Sequence, residues 1–508
     1  MSLAVLERRH TIAPSGYNRW LIPPAALAIH LCIGQAYATS VYKLSLVEHF
    51  DASLTAVGVV FSIAIVMLGL SAAVFGTWVD TGGPRQAMVV AALCWAVGFF
   101  VGAAGIATGQ LWLLYLGYGV IGGIGLGIGY ISPVSTLIKW FPDRPGLATG
   151  MAIMGFGGGA LIASPVSSKL LGVFDSGFDP DDPARVASGS AVASLFVTLG
   201  VVYLVVMLFG AWLIRVPPEG WVPDGFDPSS VKERELVTTE SVSAKNATKT
   251  PQFWLLWTVL FCNVTAGIGI LEQASPMIQD FFRDGGSSSV SPAVAAGFVG
   301  LLSMCNMAGR FVWSTTSDYI GRKRNYMGYL GIGIVCYALL ALMGDVSTGL
   351  FVLLAGVIIS FYGGGFSTVP AYLKDLFGTY QVGAIHGRLL TAWSAAGIAG
   401  PLIINGFLDA QGEPGSLTAA AYRPALLTMV GVLAVGFVAN LLIGHVSDRH
   451  HEPESVEPTA AAASQARPAG GTESVSSPVL LMIAWAVVGI PLLYGIYQIA
   501  LVTVDLFG

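Results

Sequence analysis

Hydrophobic residues occur in long uninterrupted runs along this chain, separated by short polar segments. A helix needs about 20 predominantly apolar residues to cross the hydrocarbon layer of a membrane. Twelve such runs precede residue 447, and a thirteenth follows a further polar segment. We number them span 1 to span 13: 20–48, 55–79, 86–108, 111–139, 147–173, 190–215, 252–282, 292–317, 326–345, 349–374, 384–409, 423–446 and 478–505. The pattern predicts an all-α polytopic membrane protein.

Two longer polar segments divide the thirteen spans. Residues 216–250 separate the first six spans from the next six, so we predict two six-helix bundles at 18–215 and 251–446. Residues 447–477 are rich in Ala, Ser, Pro, Glu and Gly, a composition typical of a disordered linker. This linker leads to the extra C-terminal span at 478–505.

The composition excludes a soluble protein. Charged residues make up 10% of the chain and hydrophobic residues 54%, whereas soluble domains average about 25% charged residues. A net charge of −5 offers no basic field for nucleic acid. The five cysteines lie inside apolar runs and form no C-x-x-C pair, so we expect neither a metal site nor a cofactor.

The distribution of lysine and arginine predicts the orientation in the membrane. By our assignment of loops to the two sides, 18 of the 24 Lys and Arg residues fall on one side, and loops rich in these residues are cytoplasmic. We therefore predict a multi-pass protein of the inner (plasma) membrane. The N-terminus and residues 216–250 are predicted to be cytoplasmic, and the C-terminus lies outside.

The two bundles are predicted to repeat one another in the same orientation. Asp80 after span 2 and Asp318 after span 8 are 238 residues apart, and prolines in spans 4 and 10 and in spans 5 and 11 recur at nearly the same offset. Each aspartate precedes a basic residue, Arg85 or Arg322. Either each loop is a plain surface turn, or carboxylate and arginine pair as a conformational latch on the cytoplasmic side. The matching positions favour the latch.

Arg310 is the sharpest candidate for a functional residue. It precedes Asp318 at the end of span 8 by eight residues, which places it about 12 Å inside the membrane. A charged residue there costs about 2.5–3.5 kcal/mol on insertion scales, so it must face the protein interior. The matching repeat position is Ala72, so the scaffold does not require a cation there. Because guanidinium grips carboxylate, we interpret Arg310 as an anchor for a small carboxylate anion, with Asn306 one turn away on the same face.

Aromatic residues at similar depth are candidates to surround the anion. Each could instead be a packing or interfacial residue, but their common depth favours an aromatic box with hydroxyl donors. The candidates are Tyr130, Tyr362, Phe366, Trp393, Tyr37 and Tyr42.

Glu272 is a second ionisable residue predicted inside the membrane. It lies eight residues before the outer end of span 7, about 12 Å deep. A carboxyl in a site of low dielectric constant can carry a proton. The alternative is a glutamate in a water-filled outer vestibule.

Three segments give the chain a resemblance to a known family. The loop at 76–85, GTWVDTGGPR, resembles the G-x-x-x-D-x-x-G-R-[RK] signature of the major facilitator superfamily. The stretch YISPVSTLIKWFPDRPGLATGMAIMGFGGGA at 130–160 is similar to the oxalate/formate antiporter family, which includes bacterial monocarboxylate carriers. So are FSTVPAYLKDLFG at 366–378 and HGRLLTAWSAAG at 386–397. The resemblance covers about residues 18–446.

The resemblance implies a carrier with the major facilitator fold that binds substrate at Arg310, Tyr130, Tyr362 and Phe366. Oxalate-exchanging members resemble this chain but carry lysine where Trp393 stands, so one buried cation favours a monocarboxylate such as lactate, pyruvate or formate. Proton-coupled members have a histidine where Gln273 stands, next to Glu272. Span 13 resembles small single-helix proteins that accompany such carriers.

We therefore predict a secondary active carrier that works by alternating access and moves a proton or a counter-anion together with the carboxylate. An oxalate/formate-type exchanger is the alternative, and a non-transporting membrane receptor is disfavoured because residues 216–250 are too few for a signalling domain. No catalytic constellation is present in the sequence, so we do not expect an enzyme.

Overall fold

The computed structural model describes twelve stretches of the chain. They are residues 6–14, 16–52, 54–178, 187–218, 220–223, 225, 236–238, 240–284, 287–288, 292–411, 417–452 and 477–504. Most of the predicted linker at 447–477 lies outside these ranges, as does part of 216–250.

The first six spans alternate direction through the membrane and form the first bundle. Span 1 is Ile22–Ile33, which continues through a 3-10 turn at Gly34–Ala38 into Ser40–Phe50. Span 2 is Leu54–Gly82 and span 3 is Pro84–Ala107. Span 4 begins as Leu111–Leu114, passes through a π-helix at Tyr115–Gly122 and ends as Gly123–Trp140. Span 5 is Pro145–Phe174 and span 6 is Gly189–Leu213.

The next six spans form the second bundle, and one helix follows. A short helix, Ala244–Ala247, precedes span 7 at Pro251–Phe281. Two-residue strands at Arg283–Asp284 and Ser287–Ser288 pair antiparallel before span 8 at Pro292–Ile320. Span 9 is Arg322–Met343 and span 10 is Thr348–Phe377. Span 11 comprises Val382–Leu389 and Thr391–Asp409, span 12 is Ala419–Leu442 and span 13 is Pro478–Val504.

The predicted fold class is confirmed, because each of the thirteen predicted spans lies on a helix. Within the described residues, twelve helices are long and apolar enough to cross a membrane. Span 8 has 29 residues and carries Arg310 and Asn306 among its apolar side chains. The molecule is thus a multi-pass membrane protein. The domain boundaries themselves stay a prediction.

Local sequence determines where several of these helices begin. Proline stands at the first position of spans 3, 5 and 7, where its missing N–H breaks no helical hydrogen bond. Spans 6, 7 and 10 begin after Ser188, Thr250 and Ser347, whose hydroxyls accept a hydrogen bond from a first-turn amide.

The two bundles meet tightly at one edge of the membrane. We call it the basic edge, because its loops follow spans 2, 4, 8 and 10 and carry Arg322 and other basic residues. There span 2 packs against span 11, and span 5 packs against span 8. A Cβ atom added at Gly387 would lie 2.0 Å from the carbonyl oxygen of Ala72, and one at Gly150 would lie 2.1 Å from Oγ of Ser314. Glycine is required at both positions, because the opposing helices approach so closely that a larger side chain would collide.

Span 13 packs on the outside of both bundles at once, against spans 1, 5 and 8. Its Tyr494 hydroxyl accepts a hydrogen bond of 2.7 Å from Nζ of Lys169 in span 5. Gly495 lets the helix approach Leu161, and Val488 is buried against Leu27 of span 1. Span 13 therefore bridges the two bundles.

Gly387→Ala should destabilise the structure, since its methyl group would overlap the Ala72 carbonyl. Overpacking of this kind costs about 1–3 kcal/mol. Gly431→Ala is the matched control: it is also helical, but a Cβ there meets no atom within 4 Å. Thermal unfolding in detergent should show a lower midpoint for Gly387→Ala and an unchanged or higher midpoint for Gly431→Ala. Equal midpoints would contradict the close approach of spans 2 and 11.

Candidate functional site

Arg310 lies fully buried between the two bundles, with 0% of its surface exposed. Its Nε donates to the side-chain oxygen of Asn306 at 3.0 Å, and Nη1 donates across the bundle interface to the carbonyl oxygen of Ile153 at 3.1 Å. Its Nη2 is buried and has no hydrogen-bond partner. No carboxylate among the described side chains pairs with Arg310. The site therefore holds an uncompensated positive charge with an unused donor.

Close packing of spans 8 and 10 directs Arg310 towards the interior. A Cβ at Gly309 would lie 2.1 Å from the carbonyl oxygen of Ser360, and one at Gly363 would lie 2.2 Å from that of Asn306. These contacts press one face of span 8 against span 10. Ser367 of span 10 then donates to the carbonyl oxygen of Arg310 at 2.7 Å, which fixes the local position of the backbone.

Aromatic rings from four spans enclose the guanidinium. Its central carbon lies 5.6 Å from the ring centroid of Phe156 in span 5 and 5.6 Å from that of Phe366 in span 10. Trp393 of span 11 contacts both rings, at 5.5 and 4.4 Å, and Tyr130 of span 4 lies 5.7 Å from Trp393. Cation–π attraction helps to hold the charge where water is excluded.

Three tyrosine hydroxyls converge on the same charge. Tyr37, Tyr130 and Tyr362 each interact electrostatically with Arg310. All three hydroxyls are buried, and those of Tyr37 and Tyr362 lie within reach of each other. Buried polar atoms are nearly always satisfied in folded proteins, so Nη2 of Arg310 and the Tyr130 hydroxyl, which have no partner, form with this pair a cluster of donors around one cation. Such a cluster is suited to accept a small anion.

The structure brings most of the predicted binding residues together. Arg310, Asn306, Tyr37, Tyr130, Tyr362, Phe366 and Trp393 form one connected site. The indole Nε1 of Trp393 is also buried and unpartnered, so it adds a further donor.

Tyr42 lies elsewhere, within the first bundle. Its hydroxyl accepts a hydrogen bond of 2.8 Å from Gln35, whose side-chain oxygen is bound by Tyr118. Its ring packs on Phe196. Tyr42 therefore belongs to a satisfied core cluster, and no contact of this cluster reaches Arg310.

The predicted proton-coupling residues are only partly described. The backbone of Glu272 lies in span 7, but its side chain is outside the described residues. Gln273 is half-buried on the same helix. Among the described residues, no group of three or more His, Cys, Asp or Glu side chains could hold a metal ion.

Sequence reasoning missed Phe156, Ile153 and two histidines near the site, His30 and His386. Phe156 stands in a run of glycines in span 5, and an aromatic residue there was a usable signal. The contribution of Ile153 is a backbone carbonyl, which no residue type could reveal. His386 stands within a segment that carries the family resemblance, but only its place beside Tyr130, at 5.8 Å between ring centroids, links it to the site.

Asp318 ties span 8 to the opposite bundle at the basic edge. Its carboxylate accepts hydrogen bonds of 2.9 and 2.8 Å from the backbone N–H groups of Gly146 and Leu147, in the first turn of span 5. Arg322 pairs with it at 2.7 Å and also with Asp375 at 3.1 Å. A carboxylate is stabilised at a helix N-terminus, where amides and the helix dipole point at it.

Asp80 makes the equivalent contact from the first bundle to the second. Its Oδ2 accepts a hydrogen bond of 2.8 Å from the amide of Ala384, in the first turn of span 11. The predicted pairing of Asp80 with Arg85 is wrong. Arg85 instead donates to the carbonyl oxygens of Ala211, Trp212 and Ile214, because the C-terminal end of span 6 offers it unpaired acceptors and a negative dipole.

Two six-helix bundles with a polar site between them are typical of a helical membrane carrier. The family model of the Major Facilitator Superfamily matches residues 25–401. The chain belongs to this superfamily, and its relatives are transporters.

Three relatives illustrate the similarity. The chain is 27% identical over 388 residues to the oxalate:formate antiporter of Oxalobacter formigenes, covering 75% of this chain and 83% of that protein. It is 28% identical over 376 residues to apicoplast pyruvate carrier 1 of Toxoplasma gondii, covering 65% and 66% of the two chains. The crystal structure of the major facilitator transporter FucP in the outward conformation superposes with a TM-score of 0.62 at 13% identity, covering 84% of this chain and 100% of that one.

Asp318→Asn should loosen the basic edge, because a neutral amide has one acceptor oxygen and cannot hold both span 5 amides and Arg322. The reporter is a cysteine at Thr149, which is fully buried at this edge, in a background without the native cysteines. Its rate of reaction with a water-soluble maleimide should rise in Asp318→Asn. Asp448→Asn, at an exposed carboxylate, is the control and should leave the rate unchanged. An unchanged rate in Asp318→Asn would argue against a latch.

Proposed function

We propose that this protein is a secondary active transporter of small monocarboxylates such as pyruvate, lactate or formate. One observation carries the proposal: Arg310 is buried without a carboxylate partner among the described side chains, its Nη2 has no hydrogen-bond partner, and three buried tyrosines interact electrostatically with it. A carboxylate would complete this site, since its two oxygens accept hydrogen bonds from both guanidinium and hydroxyl groups. The oxalate:formate and pyruvate carriers named above act on this class of anion.

The charge of the site favours an anion with one negative charge. Arg310 is the cation that the aromatic cluster encloses, and Trp393 occupies the position where the exchangers that this chain resembles carry lysine. One guanidinium balances one carboxylate, whereas an oxalate dianion would leave a net negative charge in a site of low dielectric constant. Carboxylate exchange of the oxalate/formate type is the alternative.

The proposed cycle is alternating access between the two bundles. Asp80 and Asp318 bind the first turns of spans in the opposite bundle, so these contacts support closure at the basic edge. Rocking of the bundles would break both contacts and expose Arg310 to that side. We propose that the basic edge faces the cytoplasm of an inner membrane, with the C-terminus outside, and that the protein has no enzymatic activity.

Movement of protons distinguishes symport from exchange. Glu272 and Gln273 remain the candidates that the sequence offers for proton movement in span 7. In proteoliposomes, proton symport acidifies the lumen as monocarboxylate enters. Exchange instead requires a second carboxylate inside and leaves the pH of the lumen unchanged.

Arg310→Lys should abolish most carboxylate uptake although the charge is kept. A lysine ammonium cannot form two parallel hydrogen bonds to a carboxylate, and it cannot reach Asn306 and Ile153 together. Losing one charge-assisted hydrogen bond of about 1.5–3 kcal/mol weakens binding by about 10-fold or more. Uptake of labelled formate, pyruvate and lactate into proteoliposomes measures the loss.

The control for this experiment is Arg423→Lys. Arg423 is about half-exposed near the beginning of span 12 and pairs with Asp345 at 3.5 Å at the surface. It should transport like the wild type. Full uptake by Arg310→Lys and Arg310→Ala would exclude Arg310 as the anchor, and absence of uptake of all three anions by the wild type would exclude the proposed substrates.

Trp393→Lys should shift selectivity towards dicarboxylates. The new ammonium would stand beside Phe366 and Tyr130 and add a second positive charge to the site. Competition by oxalate against labelled formate should become stronger in this variant than in the wild type. Trp393→Leu is the matched control, because it removes the same ring without adding charge and should not favour oxalate. Equal competition in the two variants would show that charge at this position does not set selectivity.

A further inference from the structure

Two buried histidines from opposite bundles lie on either side of Tyr130. His30 is on span 1 and is 0% exposed, and His386 is on the first helix of span 11 and is 2% exposed. The Tyr130 ring is 5.3 Å from the ring of His30 and 5.8 Å from that of His386, centroid to centroid. The two imidazoles also interact electrostatically with each other. Both histidines therefore lie at the bundle interface, beside a residue of the candidate anion site.

Both ring nitrogens of His30 lie within hydrogen-bond distance of carbonyl oxygens. Its Nδ1 lies 2.7 Å from the carbonyl oxygen of Ala152, and its Nε2 lies 3.2 Å from that of Tyr130. A neutral imidazole has one N–H, so one of these nitrogens would direct a lone pair at a carbonyl oxygen. The imidazolium ion donates from both nitrogens and satisfies both carbonyls.

His386 carries a second nitrogen that can bind a proton. Its Nε2 is buried and has no hydrogen-bond partner. The groups that face the pair are Arg310 from span 8 and Tyr130 from span 4, while Asp80 from span 2 binds the amide of Ala384, two residues before His386. Among the described residues, no carboxylate hydrogen-bonds either imidazole, so none of these side chains compensates a second positive charge beside Arg310.

Because no described carboxylate compensates a second positive charge near Arg310, binding of the proton depends on binding of the anion. With the anion site empty, the charge of Arg310 opposes a proton on His30, with which it interacts. A carboxylate bound to Arg310 cancels that charge and makes the proton easier to hold. Linkage requires the reverse as well, so a bound proton strengthens binding of the carboxylate.

We propose that His30 and His386 together form a proton-binding site that takes up one proton with each carboxylate bound at Arg310. This inference rests on the proposed carboxylate transport and assigns its coupling to spans 1 and 11. One proton from water binds an imidazole nitrogen as the anion enters, and both leave when the bundles separate. Opening of the interface lets water reach the imidazoles, and the proton leaves to water once the carboxylate that compensated its charge has gone.

The test uses the full-length protein in proteoliposomes with a pH-sensitive dye in the lumen. The probe is whichever of formate, pyruvate and lactate the wild type takes up fastest. His386→Gln and His30→Gln keep a hydrogen-bonding side chain but cannot carry a proton. Proton influx driven by the anion should fall at least about tenfold in these variants, while exchange of labelled against unlabelled anion continues. His49→Gln is the control, because His49 is exposed and its Nε2 contacts the carbonyl oxygen of Ile106 far from Arg310.

Each outcome other than the expected one overturns either the histidine site or the proposed transport function. Undiminished proton influx in both variants overturns the proposal, and so does loss of exchange together with proton influx, which would place the histidines in anion binding alone. A wild type that exchanges carboxylates without moving protons overturns the histidine site and leaves the carrier proposal standing. A wild type that carries none of the three anions refutes the proposed function itself.

A second measurement uses only the wild type, so it remains possible if the variants fail to fold. Calorimetry of anion binding to the wild type, in buffers with different ionisation enthalpies, gives the protons taken up for each anion bound. We expect an uptake that falls as the buffer pH drops and the pair is already charged. Zero uptake across the pH range overturns the proposal.

Discussion

A guanidinium group buried between two helical bundles, with one donor left unused, is the constraint on which this site depends. Burial without full compensation is costly, because water that would otherwise solvate the charge is excluded. The protein meets part of that cost with Asn306, the Ile153 carbonyl and the faces of Phe156 and Phe366. Nη2 of Arg310 remains without a hydrogen-bond partner, and in the proposed function this incomplete compensation is also the source of affinity for an anion.

Charges are also compensated at the basic edge, most fully at Asp318. Asp318 accepts hydrogen bonds from two amides and from Arg322, and one oxygen of Asp80 accepts a hydrogen bond from an amide of span 11. Both carboxylates lie at helix N-termini of the other bundle, so the two halves hold each other through equivalent contacts. Glycines at the crossing points, such as Gly150 and Gly387, allow the helices to come close enough for these bonds to form. Closure of this edge is thus a packing event and an electrostatic event together.

Much of the fold and the centre of the site followed from residue patterns, for identifiable reasons. Apolar runs of sufficient length become helices because a membrane leaves no other way to satisfy the backbone. A single arginine at mid-depth must face the interior, so Arg310 was predictable without coordinates. Tyr42 was misplaced because depth along a helix says nothing about which neighbour a side chain meets. Arg85 was misassigned because the carbonyl acceptors of span 6 lie more than 120 residues away in sequence.

The sequence by itself determined the class of protein, the helical spans, the repeat and the one buried cation, since each depends on local composition or on spacing along the chain. Only the tertiary structure decided which groups meet that cation. The contact of the Ile153 carbonyl, the contact of the Phe156 ring and the placement of His30 and His386 beside Tyr130 arise where helices cross, and a backbone carbonyl carries no mark in the sequence. The physical reason is that compensation of a buried charge is a property of its surroundings in space, and those surroundings come from residues far apart in the chain.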